Sequence, residues 1–314
     1  MNGTMETWDK NLCSPAVVKE LLAKYRLAPQ KGFGQNFLIN ARIPQEIAEA
    51  SVPEESWNSS FDQPLGALEI GPGLGAMTRH LSALYDQVIA VEIDRGLIPL
   101  LEETLADCTN VKVINQDFMK LDVPAFLQSR FGDMPVHVCA NLPYYITTPI
   151  LMKLLEAQRP SRPPKICSVT VLVQTEVADR LCAPAGSAAY GAITAAVRLA
   201  GTAKKLFSVS AGNFLPQPKV ASSVVQIQLY PGGIRDAIDD LPLEDDALDI
   251  RIEKTKELIS LGFAQRRKTL VNALSSVYAR EAVTAALADL ELRADIRGEK
   301  LSAEQFVALA GRLS

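Results

Sequence analysis

A chain of 314 residues is long for one domain and long enough for a large domain plus a small one. Its 48% apolar and 22% charged content excludes a disordered chain, and a net charge of −4 argues against indiscriminate coating of nucleic acid. Two histidines (His80, His137) and five scattered cysteines without CxxC spacing disfavour histidine-based catalysis and zinc, so no metal is expected and the thiols read as reduced, cytoplasmic ones.

The opening, MNGTMETWDKNLCSP, lacks a basic stretch followed by an apolar one, and no apolar run of roughly 18 residues occurs; neither a secretory leader nor a membrane span is expected. SPAVVKELLAKYRL has helical apolar spacing, with Ser14 as the expected N-cap and Pro15 at the first helical position. A glycine-punctuated loop, KGFGQNFLIN, leads to a second helical stretch, IPQEIAEASV. From Ala67 the pattern changes to short, β-branched, nearly continuous apolar runs: ALEI, QVIAVEI, VKVINQD, VHVCANL and SVTVLVQ. Helical stretches such as AMTRHLSALY, GLIPLLEETLAD and TPILMKLLEAQ separate them. Strands apolar on both faces, alternating with helices, predict a mostly parallel α/β sheet covered on both sides. ASSVVQIQLY alternates better and reads as one late antiparallel strand. Residues 231–249 carry one basic residue against seven acidic ones and read as a linker, and from 250 onward every stretch is helical in period. The expected organisation is a helical arm over 1–30, an α/β domain over 31–230, the acidic linker, and a small all-helical domain over 250–314.

Gly71, Gly73 and Gly75 in ALEIGPGLGAMT stand between a strand and a helix, where a tight turn lets the backbone approach a nucleotide-like ligand. Glu92, with Ile93 beside it, ends the next strand about 20 residues on, where a carboxylate can accept bonds from both ribose hydroxyls. Asp117 at the third strand tip can accept from an adenine amino group, and Phe118 can lie against the purine. On the loop alone, NAD and S-adenosylmethionine are not separable. The fourth strand ends in Asn141-Leu142-Pro143-Tyr144, facing the same crevice. The Asn141 side-chain oxygen and a carbonyl of the proline turn are two acceptors, a pair that suits a planar exocyclic amine such as adenine N6. Holding both hydrogens out of plane makes that nitrogen nucleophilic, and Tyr144 offers a face on which an extruded base can stack. No strong base is needed, because the methylated amine is cationic and acidic.

FGQNFL, EIGPGLGAMT, VEID, QDF, NLPYYITTPI, VQTEVADRL, YGAITAAV, FLPQPKVASSVV and FAQRRKTL occur in the order seen in the KsgA/RsmA family, which the chain resembles from about Lys31 onward. These are small-subunit ribosomal RNA adenine N6,N6-dimethyltransferases. The resemblance implies a Rossmann-like class I methyltransferase sheet with a helical C-terminal domain. It also implies S-adenosyl-L-methionine as methyl donor and dimethylation of two adjacent adenosines in the 3′-terminal hairpin of 16S rRNA, within the immature 30S subunit. By motif, Asn36 and Leu38 match cofactor-lid contacts, Gly71 the methionine side, Glu92 the ribose ligand and Asp117 the adenine ligand. Asn141 matches the residue shared by cofactor and target amine, Tyr144 the stacking ring, and Phe214 an aromatic that closes on the base from the other side. Tyr145, Gln217 and Ala221 depart from the family pattern, at positions where Asn, Pro and Asp are common.

Arg266, Arg267 and Lys268 gather three cations near the middle of a predicted helix, which suits phosphate contact with structured RNA. Rival readings are a macrolide-resistance-type 23S rRNA methylase, a non-catalytic RNA-binding assembly factor of this fold, and an NAD-dependent dehydrogenase. The last lacks an acid/base near a strand end and leaves Asn141–Tyr144 idle. Monomer is the default, since nothing suggests a dimer face.

Overall fold

The computed structural model describes residues 8, 10–53, 63–157, 166–231, 244–265 and 267–313. In chain order these form α1 (Pro15–Lys24), β1 (Phe37–Leu38), α2 (Arg42–Ser51), β2 (Gly66–Ile70), α3 (Ala76–Leu84), β3 (Gln87–Glu92), α4 (Ile98–Thr104), β4 (Val111–Asn115) and α5 (Val123–Phe131). Then come β5 (Val136–Asn141), α6 (Thr147–Glu156), β6 (Ile166–Gln174), α7 (Thr175–Leu181), α8 (Ala192–Ala200), β7 (Gly201–Val209), β8 (Phe214–Leu215) and β9 (Ser222–Leu229). Four further helices end the chain: α9 (Asp245–Ala264), α10 (Leu270–Leu274), α11 (Arg280–Asp289) and α12 (Ala303–Arg312).

Seven strands make one sheet in the order β4-β3-β2-β5-β6-β9-β7. The pairs β2–β3, β3–β4, β2–β5 and β5–β6 are parallel. The order reverses between β2 and β5, so the loops after Ile70 and Asn141 leave the sheet side by side, at the position where open α/β sheets bind ligands. Near-total burial of β2, β3 and β5 explains their continuous apolar sequences. Bonds from Tyr230 N to the Ala200 carbonyl (2.9 Å) and from Thr175 N to the Ala221 carbonyl (3.1 Å) set the end of β9 beside the start of β7 and its start beside the end of β6, which makes β9 the late antiparallel strand. β7 is absent from the sequence reading. It is an edge strand, and its exposed Lys204 and Lys205 interrupt the apolar run.

The chain divides into two compact units, 1–157 with 165–178 and 204–227, and 158–164 with 179–203 and 228–314. In the first, α1 buries Val18, Leu21 and Leu22 against Leu97, Leu100, Leu101 and Leu105. The arm is pinned there by Lys24 to Glu103 (2.6 Å), and Trp8 N and Arg79 both reach Asp107, whose carboxyl the bond from Arg79 holds down at about 2. Ser14 stands at the N-cap without a side-chain bond; its carbonyl accepts from Val18 N instead. In the second unit, Tyr190, Ala195 and Leu199 share one apolar core with α9 to α12. α9 begins at Asp245, inside the acidic stretch, and α12 is closed by a Ser302–Gln305 capping box. The helix predicted around residues 266–268 is interrupted. α9 ends at Ala264 and α10 restarts at Leu270, with Thr269 accepting from Asn272 N and Leu270 N donating to the Ile296 carbonyl (2.7 Å). Arg267 and Lys268 therefore sit exposed in an interhelical break, not mid-helix, and Arg266 lies outside the described residues. No helix among the described residues is long and apolar enough to cross a membrane.

Candidate active site

The first unit carries a cleft at the switch point, lined among others by Asn36, Gly71, Glu92 and Asn141. Its floor is the glycine loop. Gly71 N donates to the Val91 carbonyl (3.0 Å), tying the loop to β3, and the backbone turns at φ +73° with open space where a Cβ would stand. Gly75 opens α3 at φ +88°, a left-handed conformation that strains any L side chain, and a Cβ there would press on the Thr104 and Leu105 side chains at 3.1 Å.

Glu92 ends β3 at 4% exposure. One oxygen accepts from Asp94 N (2.8 Å). Burial pushes its carboxyl up to about 7, against the pull of backbone N–H groups of Asp94, Gly73 and Ile93. Asp94 in turn accepts from Gly96 N (3.0 Å) and from the side-chain amides of Gln35 (2.9 Å) and Gln30 (3.1 Å). These two glutamines belong to a strap over residues 30–36, which Gln30 N closes on Gln35 Oε1 (2.8 Å). β1, immediately after the strap, pairs with β8.

Asn141 ends β5, and its side-chain NH2 donates to the Asn36 carbonyl (3.1 Å). Among the described residues, no donor takes its Oδ1 or the Leu142 carbonyl, whereas the Pro143 carbonyl is already bonded by Ile146 N and Thr147 Oγ1 (3.1 Å each). Two unengaged acceptors thus stand one residue apart at the cleft. The Tyr144 ring lines the cleft too, its hydroxyl held by Ser222 Oγ (2.7 Å) and its pKa raised by burial.

Of the residues singled out in the sequence, the cleft gathers Asn36, Leu38, Gly71, Gly73, Glu92, Ile93 and Asn141 to Tyr144. Asp117, Phe118 and Phe214 do not line it. Asp117 caps the turn after β4 by accepting from Met119 N (2.9 Å), and Phe118 is buried beneath that turn. Phe214 packs into the core of α2 and α3 at 3% exposure, so reaching a bound base requires β8 to give up that packing. Glu69 escaped the sequence reading although it lines the cleft. Full burial pushes its carboxyl up to about 8, with Thr78 pulling the other way, and Oε2 has no hydrogen-bond partner among the described residues. A carboxyl placed so can take a ligand's N–H or cationic group. The signal was present: an acid inside an otherwise apolar strand directly before the glycines. The histidines stand apart; His137 is buried against Ser168 (2.8 Å), burial lowering its pKa to about 4. Among the described residues no cluster of His, Cys, Asp and Glu could hold a metal ion.

A family model described as ribosomal RNA adenine dimethylase matches residues 27–314. The ribosomal RNA small subunit methyltransferase A of Shouchella clausii is 39% identical over 97% of this chain and 96% of its own. That of Bacillus licheniformis is 38% identical over 97% and 98%. Among solved structures, the 23S rRNA methyltransferase ErmE is similar with a TM-score of 0.61 and 26% identity, over 88% of this chain and 99% of its own. A dimethyladenosine transferase from Plasmodium falciparum has the same fold, with a TM-score of 0.65 and 23% identity over 87% and 95%.

Proposed function

Because the chain belongs to the ribosomal RNA adenine dimethylase family, it is a methyltransferase of ribosomal RNA adenines with an S-adenosylmethionine-type donor, and we propose that its substrate is small-subunit rRNA. In this reading two adjacent adenosines of the 3′-terminal hairpin of 16S rRNA each receive two methyl groups at N6, in the immature 30S subunit in the cytoplasm. The near-full-length likeness to small-subunit enzymes supports this over a 23S target, which only the more distant likeness to ErmE favours.

One observation carries the chemistry: the Asn141 side-chain NH2 donates to the Asn36 carbonyl, which leaves Oδ1 for a ligand, beside the unengaged Leu142 carbonyl. The two accept the two N6 hydrogens, draw the nitrogen lone pair out of the adenine ring and aim it into the cleft. Glu92 holds the ribose of the donor, the glycine loop admits its methionine end, and Glu69 offers a buried carboxyl to its cationic side. S-adenosylmethionine, when bound, supplies an electrophilic methyl group. After transfer the nitrogen is cationic and sheds its proton to water, so the site needs no base. Asp117, with its second oxygen uncommitted to the cap, is assigned to the adenine of the donor.

Labelled donor incubated with immature 30S particles and with 23S rRNA tests the assignment; label on 23S rRNA alone contradicts it. The ring of Tyr144 matters more than its hydroxyl. Tyr144→Phe should retain turnover within about threefold, while Tyr144→Ala loses a stacking contact worth about 1–3 kcal/mol per base. Equal losses in both variants would move the role to the Ser222 bond. Arg267 and Lys268, both exposed, are assigned to phosphate contact. Arg267→Ala and Lys268→Ala should each weaken particle binding and lower its salt slope by about 1. An unchanged slope makes them ordinary surface cations.

A further inference from the structure

Asp94 touches neither proposed reactant group, yet it is buried and accepts three hydrogen bonds, two of them from side chains about 60 residues away in sequence. Both side-chain donors, Gln30 and Gln35, belong to the strap. The strap continues into Asn36, whose carbonyl accepts from the Asn141 side-chain NH2. A continuous chain of bonds therefore runs from Glu92 Oε1 through Asp94 N–H, the Asp94 carboxylate and the Gln35 amide, along the backbone to Asn36, and ends at Asn141. Its outcome is a polarity. An asparagine amide can present either its oxygen or its NH2 to the cleft, and only the oxygen accepts from an amine. With the Asn36 carbonyl in place, the NH2 is held back and Oδ1 is exposed; with the strap displaced, either flip is open.

We propose that Asp94 is a positioning residue for methyl transfer: it latches the strap through Gln35 and Gln30, and the latched strap fixes the acceptor face of Asn141. The inference rests on the role given to Asn141 above. The strap has a second support in the Tyr145 ring and Pro143, which pack against Gly34; a Cβ on Gly34 would stand 3.1–3.3 Å from them. That contact gives the 60%-exposed Tyr145 a place in the same device, while Asp94 sets its hydrogen-bond polarity.

The latch is tested by reversing it. In Asp94→Asn the turn bond to Gly96 survives, but an NH2 can face the two glutamine amides. In Gln35→Glu two carboxylates meet. In the double variant an asparagine NH2 faces a glutamate oxygen, and the opposed charges are gone. Each single variant should lower kcat by about 10–100-fold, the scale of a misplaced catalytic group. RNA KM should stay within about threefold, since Asp94 makes no RNA contact in this reading, and the double variant should recover most of the lost turnover. A double variant no better than the worse single variant overturns the latch. A second readout is independent of the RNA target. The side-chain amide resonances of Asn141, identified by their loss in Asn141→Asp, should shift in both single variants and return in the double. Resonances unmoved in the single variants overturn the proposal even if turnover falls. Wild-type protein that methylates no small-subunit rRNA would sink the substrate assignment, with the resonance test still deciding the latch.

Discussion

Asn141→Ala should reduce methyl transfer by about 100–1,000-fold, the loss typical of removing one preorganised polar group aimed at the reacting centre. The substitution deletes the acceptor that orients the amine and leaves the Leu142 carbonyl to hold it alone. It also frees the Asn36 carbonyl, which stays near solvent at the half-buried cleft rim and can hydrate, so the fold should survive with a loss of about 1 kcal/mol. Donor binding, for which the proposal relies chiefly on Glu92 and the glycine loop and only in part on Asn141, should weaken less than turnover. Asn141→Asp separates polarity from shape: it supplies an acceptor but sets a carboxylate against the Asn36 carbonyl. It should therefore stay well below wild type. Labelled-methyl incorporation, donor affinity by calorimetry and thermal unfolding check the three parts. Near-wild-type turnover in Asn141→Ala would remove the chemical basis of the site.

Glu92→Gln should weaken donor binding by about 10–100-fold, the value of one or two charge-assisted bonds to ribose hydroxyls. The same substitution should stabilise the empty protein at alkaline pH, and the sign follows from the raised pKa. Burial lifts the Glu92 carboxyl from 4.5 to about 7, so the native state holds this proton more tightly than the unfolded chain does. The stability it contributes is complete below pH 4.5 and is lost as pH rises through about 7, a change of about 3 kcal/mol. The neutral glutamine of the variant has no such loss, so the variant's advantage in Tm should be larger at pH 8 than at pH 5. Ribose hydroxyls donate to the ionised form, so wild-type donor affinity should climb as pH approaches 7 and level off above it, while that of Glu92→Gln stays flat over this window. A wild-type affinity independent of pH between about 5.5 and 8, within about twofold, would detach Glu92 from the ribose.

The sheet and its switch point were legible because its central strands are buried on both faces and therefore apolar without interruption, and because glycines, Glu92 and Asn141 stand where those runs end. β7 was not, since an edge strand carrying Lys204 and Lys205 has no apolar period to read. The break between α9 and α10 hid for the opposite reason: the helical period continues through it, and only Thr269 before an apolar run marks the restart. Asn36, Glu92 and Asn141 were visible as motif positions, but the strap that links them was not. Gln30, Gln35 and Asp94 find one another across the fold, and amide side chains leave no periodicity. Asp117 shows how one residue satisfies two readings at sequence level; the structure assigns one of its oxygens to a turn.

At the centre of the proposal stands the Asn141–Leu142 acceptor pair, to which we assign the presentation of adenosine N6 of small-subunit rRNA to a methyl donor. The most direct test is mass spectrometry of nuclease fragments of 16S rRNA, taken from immature 30S particles incubated with this protein and S-adenosylmethionine. Wild-type protein should leave N6,N6-dimethylation on two adjacent adenosines of the 3′-terminal hairpin, and Asn141→Ala none. Unmodified 16S rRNA beside methylated 23S rRNA, or equal modification by the two proteins, would contradict this role.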